Sequence, residues 1–290
     1  HFKRGIRMNG LNDLVKISNL VGNNINYIQG GGGNTSIKLN HYDMAIKSSG
    51  SKLKEMTLEN GICNVNFQDI NVYLGELPDN DDLFSKRMSS FANKNQKPSI
   101  ETGFHSMLGN FVIHTHSVFV NTLLCAMEGK EMIENLFPES IWIDYATPGL
   151  GITKLLQSQL EQNPPNLESG LTIFLQNHGV IISGQSGDSA YTLHEEVNNK
   201  VRYEFNLPKF NIGDESNYFT EETLFPDQAV FDQNSNNSSA HENLLAARYI
   251  VDAIRSIGLT PNFLEKDEVN KLRNLESEKF RVNIDGNNQT

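Results

Sequence analysis

The chain has 290 residues, an ordinary globular composition with many asparagines, and a formal net charge of −11 at pH 7. That length fits one large domain or two small ones, and the acidic balance argues against nucleic-acid or anionic-membrane binding, so an anionic ligand would need a local site. The apolar stretches are far shorter than a bilayer span, and "HFKRGIRMNG" lacks the apolar centre of a signal peptide, so a cytoplasmic protein is expected.

In chain order, "LNDLVKISNLVG" places Leu11, Leu14, Val15 and Val21 near one helical face, interrupted by Ser18 and stopped at Gly22. The glycine run of "YIQGGGGNTSIKL" leads into an alternating, strand-like segment. "DMAIKSSGSKL" predicts a strand and a tight turn at Ser49-Gly50; "GICNVNF" and "INVYLG" predict two more strands, paired as a hairpin. "DDLFSKRMSSFANK" and "IETGFHSML" read as helices, "FVIHTHS" as a strand and "SVFVNTLLCAMEG" as a helix. "LTIFLQNHGVIISG" holds two strands around a turn at Asn177-His178-Gly179, and a long helix follows, capped by Asp188 or Ser189. After Leu207 a polar arm carries Pro226 and "NSNNSS", and "ENLLAARYIVDAIRSIG" and "KDEVNKLRNLESEKFR" predict two final helices. These are too small for a core of their own and are expected to pack on the main body. The division is therefore a main domain over 1–207 and an arm with a helical extension over 208–290. Helices alternate with strands, some hairpin-like, which points to an α/β layered sheet with antiparallel parts. Cys63 and Cys125 show no metal-motif spacing and sit beside apolar residues, as buried thiols in a reducing compartment do.

The run "GGGGNTS" lacks the lysine of a P-loop and precedes a strand rather than a helix, so it matches neither common nucleotide-binding fingerprint. What remains is bare backbone able to turn N–H groups onto an anion, with Asn34, Thr35 and Ser36 adding side-chain donors. "SSGS" (Ser48 to Ser51) and "PSIE" (Pro98 to Glu101) are further small polar clusters. The three could cradle one phosphate, or be three ordinary turns.

His114 and His116 are two residues apart in a predicted strand, so their rings share a face and can reach one point. A metal ion is the candidate for that point, and His178, beside a glycine turn, is the best third ligand. Three protein ligands leave a position open for substrate, the pattern of catalytic zinc sites. His1, His41 and His241 lie in terminal or polar segments, and His105 and His194 fall in helices, where core roles are expected. Glu101 could be a fourth ligand, a proton-transfer base, or an acid complementing a helix dipole.

These residues resemble the class II aldolase/adducin family, whose ordered motifs stand here as "GGNTS", "SSG", "PSIE", "HTH" and "NHG". The resemblance covers roughly residues 10 to 205. The longer strings "YIQGGGGNTSIKL" and "MAIKSSGSKLKEM", with the tail "LFPDQAVF" and "LESEKFR", look like the aldolase portion of bifunctional aldolase/short-chain-dehydrogenase proteins. The resemblance implies a three-layer α/β sandwich with a mostly antiparallel central sheet flanked by helices. It implies zinc or another divalent transition metal on His114, His116 and His178, Glu101 as acid/base, and substrate phosphate held by Asn34, Ser49, Gly50 and Ser99. It also implies a homo-oligomer, commonly a tetramer, acting on a small phosphorylated sugar. The family includes fuculose- and rhamnulose-phosphate aldolases, ribulose-phosphate 4-epimerases, decarboxylases and non-catalytic adducin. Two departures stand out. Ile100 occupies the place of a second serine common in sugar-phosphate aldolases, and Tyr145, in "IDYATPG", is only a loose match for the tyrosine that protonates in some of them.

Overall fold

A computed structural model describes residues 2–93, 96–213, 222–231 and 238–287. The elements are α1 (Phe2–Gly22), β1 (Asn34–Lys38), β2 (Asp43–Lys47), β3 (Ile62–Asn66), α2 (Phe67–Tyr73), α3 (Asp81–Ser90), α4 (Thr102–Met107), β4 (Phe111–Thr115), α5 (Val118–Leu124) and α6 (Gly129–Leu136). They continue with β5 (Ile141–Ile143), α7 (Leu150–Gln162), β6 (Leu171–Leu175), β7 (Gly179–Gly184), α8 (Gly187–Glu204), α9 (Pro226–Val230), α10 (Ser238–Ser256), α11 (Lys266–Asn274) and α12 (Glu276–Asn287). The strands form one seven-stranded sheet in the order β3-β2-β1-β4-β7-β6-β5. Every pairing is antiparallel except β5 with β6. No helix among the described residues is long and apolar enough to cross a membrane.

The central strand β4 shows why the sheet is covered on both faces. Phe111 and Ile113 join the core built with α1, α5, α8 and α10, whereas Val112 joins the core under α4 and α7. Alternation along the strand therefore buries apolar side chains in two directions, as a sheet between two helical layers requires. Burying one such side chain contributes about 1.5–3 kcal/mol. His114 shares the side of Val112, its ring in edge contact with Phe104 at 5.8 Å between centroids. Thr115 points the other way, 2.8 Å from His194.

The structure departs from the expected elements in five places. "INVYLG" is helical rather than a strand, because Asn66 caps α2 by accepting from the backbone of Gln68 and Asp69. Phe67, Ile70 and Leu74 then recur at helical spacing and are buried. α1 begins at Phe2, well before Leu11, and Ser18 does not break its buried face: its hydroxyl bonds Leu14 O and Thr35 Oγ1, both at 2.6 Å. Ser186, not Asp188 or Ser189, caps α8, with Ser189 returning the bond in a capping box. The last helical run is split at Leu275, whose extended backbone separates α11 from α12. Within the expected arm, Pro226 starts the short helix α9; residues 214–221 and 232–237 lie outside the described residues. Both cysteines are free and buried, and burial pushes the Cys63 thiol up to about 12.

Candidate active site

The site forms where β1, β4 and the β6–β7 turn meet. Register places Asn34 of β1 opposite His114 of β4, and His114 opposite Ile181 of β7. His116 stands one residue beyond β4, where its backbone N–H bonds Tyr27 O at 3.1 Å. Asn177, in the left-handed region at φ 52°, turns the chain so that His178 faces back over the sheet. Only glycine fits next: a Cβ at Gly179 would collide with Thr115 O, where β7 runs close against β4. Gly33, at φ 65°, is held as tightly, since a Cβ there would come 2.7 Å from His114 O.

The three predicted histidines converge. Their ring centroids are 4.9 Å apart in every pair, and Nε2 of His114 and His116 face each other at 3.1 Å. His114 Nδ1 lies 3.1 Å from Val180 O, which can only accept, so Nδ1 carries the hydrogen and Nε2 presents a lone pair. Burial drives the His114 pKa down to about 4, and burial followed by the neighbouring His114 and His116 drives that of His178 well below its ordinary value. Neutral imidazoles are the form a metal requires. Glu101 stands with Oε2 3.5 Å from His114 Nε2 and Oε1 3.4 Å from His178 Nε2. Glu101 Oε1 and His178 Nδ1 are buried without hydrogen-bond partners. Buried polar atoms orphaned beside three converging imidazoles are what a cation would satisfy, so the donor set fits a divalent metal.

Glu101 is the residue just before α4, and it turns inward rather than capping the helix. Asn34 fixes it: its amide nitrogen donates to Glu101 Oε2 at 2.6 Å and to Ser99 Oγ at 3.1 Å. The amide oxygen of Asn34 accepts from His105 Nε2, and His105 Nδ1 meets Ser36 Oγ at 2.7 Å. His105 is thus a buried positioning group, and His194 a buried partner of Thr115, as expected for both. Burial keeps His105 neutral by pushing its pKa far down.

The three small polar clusters also meet. Ser49 N bonds Lys97 O at 2.8 Å and Ser99 N bonds Lys47 O at 3.2 Å, joining the "SSGS" turn to "PSIE". Asn34, Ser49, Gly50, Ser99, Glu101, His116 and His178 all line one cavity of about 30 Å³. Tyr145 does not line it; its hydroxyl donates to Glu268 Oε1 at 2.8 Å.

Several cavity residues had no role assigned from the sequence. Lys47 is buried, and burial, reinforced by Arg281, lowers its pKa to about 7. Asp227 of α9 stands 3.2 Å from His116 Nδ1, close enough for charge to act but not aligned as a hydrogen bond. Burial alone would raise the Asp227 pKa; Arg281 and then His116 more than offset it and hold the carboxylate ionised. Glu278 and Arg281 enter from α12, with Arg281 bonded to Asp227 at 3.1 Å and to Glu278 at 2.7 Å. The tail strings "LFPDQAVF" and "LESEKFR" contain these three without giving them a role, since each reaches the site by long-range packing of the C-terminal helices. Lys47, two residues before the "SG" turn, was the one within reach of a sequence argument.

Residues 12–204 match the model of the Class II Aldolase and Adducin N-terminal domain, and the chain belongs to that family. The uncharacterized oxidoreductase YuxG of Bacillus subtilis (strain 168) is 28% identical over 194 residues, covering 63% of this chain and 27% of that protein. The chain thus spans about a quarter of that relative's length. The N-terminal class II aldolase domain of a conserved protein from Thermoplasma acidophilum superposes with a TM-score of 0.59 at 21% identity, over 67% of this chain and 92% of that one. YgbL from Klebsiella pneumoniae gives 0.51 at 19% identity, over 74% and 95%. At these identities the two structures are similar in fold.

Proposed function

We propose that this chain is a metal-dependent aldolase that cleaves a phosphorylated ketose to dihydroxyacetone phosphate and an aldehyde. The observation that carries the reading is the convergence of the His114, His116 and His178 imidazoles on Glu101, beside a cavity that Ser49 and Ser99 also line. His114, His116 and His178 would hold zinc or a similar divalent ion, which supplies Lewis-acid polarisation of the substrate carbonyl. Glu101 accepts the proton of the C4 hydroxyl as the C3–C4 bond breaks and the aldehyde forms, and a proton is then returned to C3. Asn34 holds Glu101 in place for both transfers. The hydroxyls of Ser49 and Ser99, with the turn at Gly50, face the phosphate. The same reading takes residues 1–207 as the class II aldolase-like domain and 208–290 as a connecting arm and helical extension packed on it. A homo-oligomer in the cytoplasm belongs to the same reading.

The test is a panel of ketose 1-phosphates offered to zinc-loaded protein, with coupled detection of dihydroxyacetone phosphate. The reading expects cleavage of at least one member, lost on chelation. Inversion at C4 without cleavage would instead assign a 4-epimerase. Metal bound by a chain inert to the whole panel would favour an adducin-like binding module.

A further inference from the structure

The neutral groups available for an anion are fewer than the motifs suggest. The Asn34 amide is committed to Glu101 and Ser99, and Ile100 offers no donor. Ser99 Oγ accepts from Asn34 and from Glu101 N, leaving its own hydrogen to give. Ser49 Oγ is buried and has no partner. Two hydroxyls do not balance a phosphate dianion inside a cavity of about 30 Å³. Cationic donors are needed, because charge-assisted bonds are roughly twice as strong as neutral ones.

Two cations are present. Lys47 Nζ comes from β2, and Arg281 Nη2 from α12. Each lies 3.5 Å from the same carbonyl oxygen, that of Gly31, so they stand within twice that distance of each other. Like charges this close repel, and in the unliganded site the Glu101, Asp227 and Glu278 side chains of the same cavity offset that repulsion. α12 also presses on the phosphate turn itself: a Cβ at Gly50 would meet Ile284 at 2.7 Å. Asp227 and Glu278, both buried, hold the guanidinium at the cavity wall. A planar fork held by carboxylates can exchange them for phosphate oxygens of the same geometry.

We propose that Arg281, from the C-terminal extension, binds the phosphate of the substrate together with Lys47, so that α12 is part of the active site and confers its preference for phosphorylated ketoses. The inference rests on the aldolase reading and assigns its anion site.

The test measures binding of inorganic phosphate to the metal-loaded full chain by calorimetry at fixed ionic strength. Arg281→Gln is expected to weaken binding by about 10- to 100-fold, the loss of one charge-assisted bond pair. Arg281→Lys keeps the charge without the fork and should fall between. In cleavage assays the Gln variant should raise KM for a phosphorylated ketose and leave that of its unphosphorylated analogue unchanged, a split that mere loosening of α12 would not produce. If wild type binds phosphate and both variants bind it equally well, Arg281 is not the anion residue, while the phosphate reading stands. Equal loss for phosphorylated and unphosphorylated substrates in both variants would also overturn the assignment. If wild type binds no phosphate at millimolar concentration, the phosphate reading falls and this inference with it.

Discussion

Replacing Asn34 by alanine separates two roles for that side chain. As a phosphate donor alone, Asn34 would contribute to substrate affinity and little to the folded state. Its contacts in the structure point to a positioning role instead. It donates to the Glu101 carboxylate at 2.6 Å and to Ser99 at 3.1 Å, accepts from His105, and is 3% exposed. A bond to a charged partner contributes about 1.5–3 kcal/mol and a neutral one about 1 kcal/mol. Asn34→Ala removes one of the first kind and leaves His105 Nε2 buried without an acceptor, for a total of about 3 kcal/mol. In a chain of this size that lowers Tm by about 6–12 °C. Thermal unfolding of wild type, Asn34→Ala, Glu101→Gln and the double variant would read both the loss and the coupling. The Asn34–Glu101 coupling energy should be about 1–2 kcal/mol, and Asn34→Ala should lower kcat as well as affinity. A melting temperature within about 2 °C of wild type, with additive double-variant behaviour and an effect confined to KM, would refute the positioning role.

Glu101→Gln keeps the size of the side chain and removes its basic oxygen, so turnover should fall by about 10²–10⁴-fold while bound metal, measured by elemental analysis, is retained; loss of metal would make Glu101 a ligand instead. Asp227→Asn removes the charge 3.2 Å from His116 Nδ1, and competition with a chelator should show metal affinity reduced about 10–100-fold; unchanged affinity would make the contact incidental. Burial sets the Lys47 pKa near 7 in the folded chain, so Lys47 is charged below that pH and loses its proton above it. Affinity for sulfate, whose own charge is constant here, should be flat below about pH 7 and fall as pH rises beyond it, and Lys47→Arg should abolish the fall. A pH-independent wild type would place Lys47 outside the anion site.

The layered sheet and the histidine centre were legible because both follow from short-range pattern. Two residues of strand spacing bring His114 and His116 together, and the glycine at 179 permits the approach of β7 that carries His178 to them. Segments ruled by a cap misled instead: the apolar residues of "INVYLG" suit a strand until Asn66 starts a helix. The strand β5 and helices α6 and α7 lie outside the segments read from the sequence, although Pro148-Gly149 and Pro164-Pro165 bracket α7. Asp227, Glu278 and Arg281 lie in tail strings that carry the family resemblance, but their place at the site could not be read, because it depends on how α9 and α12 fold back over the turn at Gly50. Asn34 and Ser99, named from motif, line one cavity, but the motif does not show that the Asn34 amide is turned to Glu101.

The central claim is that three histidines and Glu101 together move a proton at a carbon next to a carbonyl. Solvent-deuterium exchange into dihydroxyacetone phosphate tests it without knowledge of the aldehyde partner. Zinc-loaded protein in heavy water, followed by proton NMR, should replace one hydroxymethyl hydrogen of that ketone, with exchange lost on removal of metal, in His116→Ala, and in Glu101→Gln. A metal-loaded, folded protein that leaves both hydroxymethyl hydrogens in place would contradict the account.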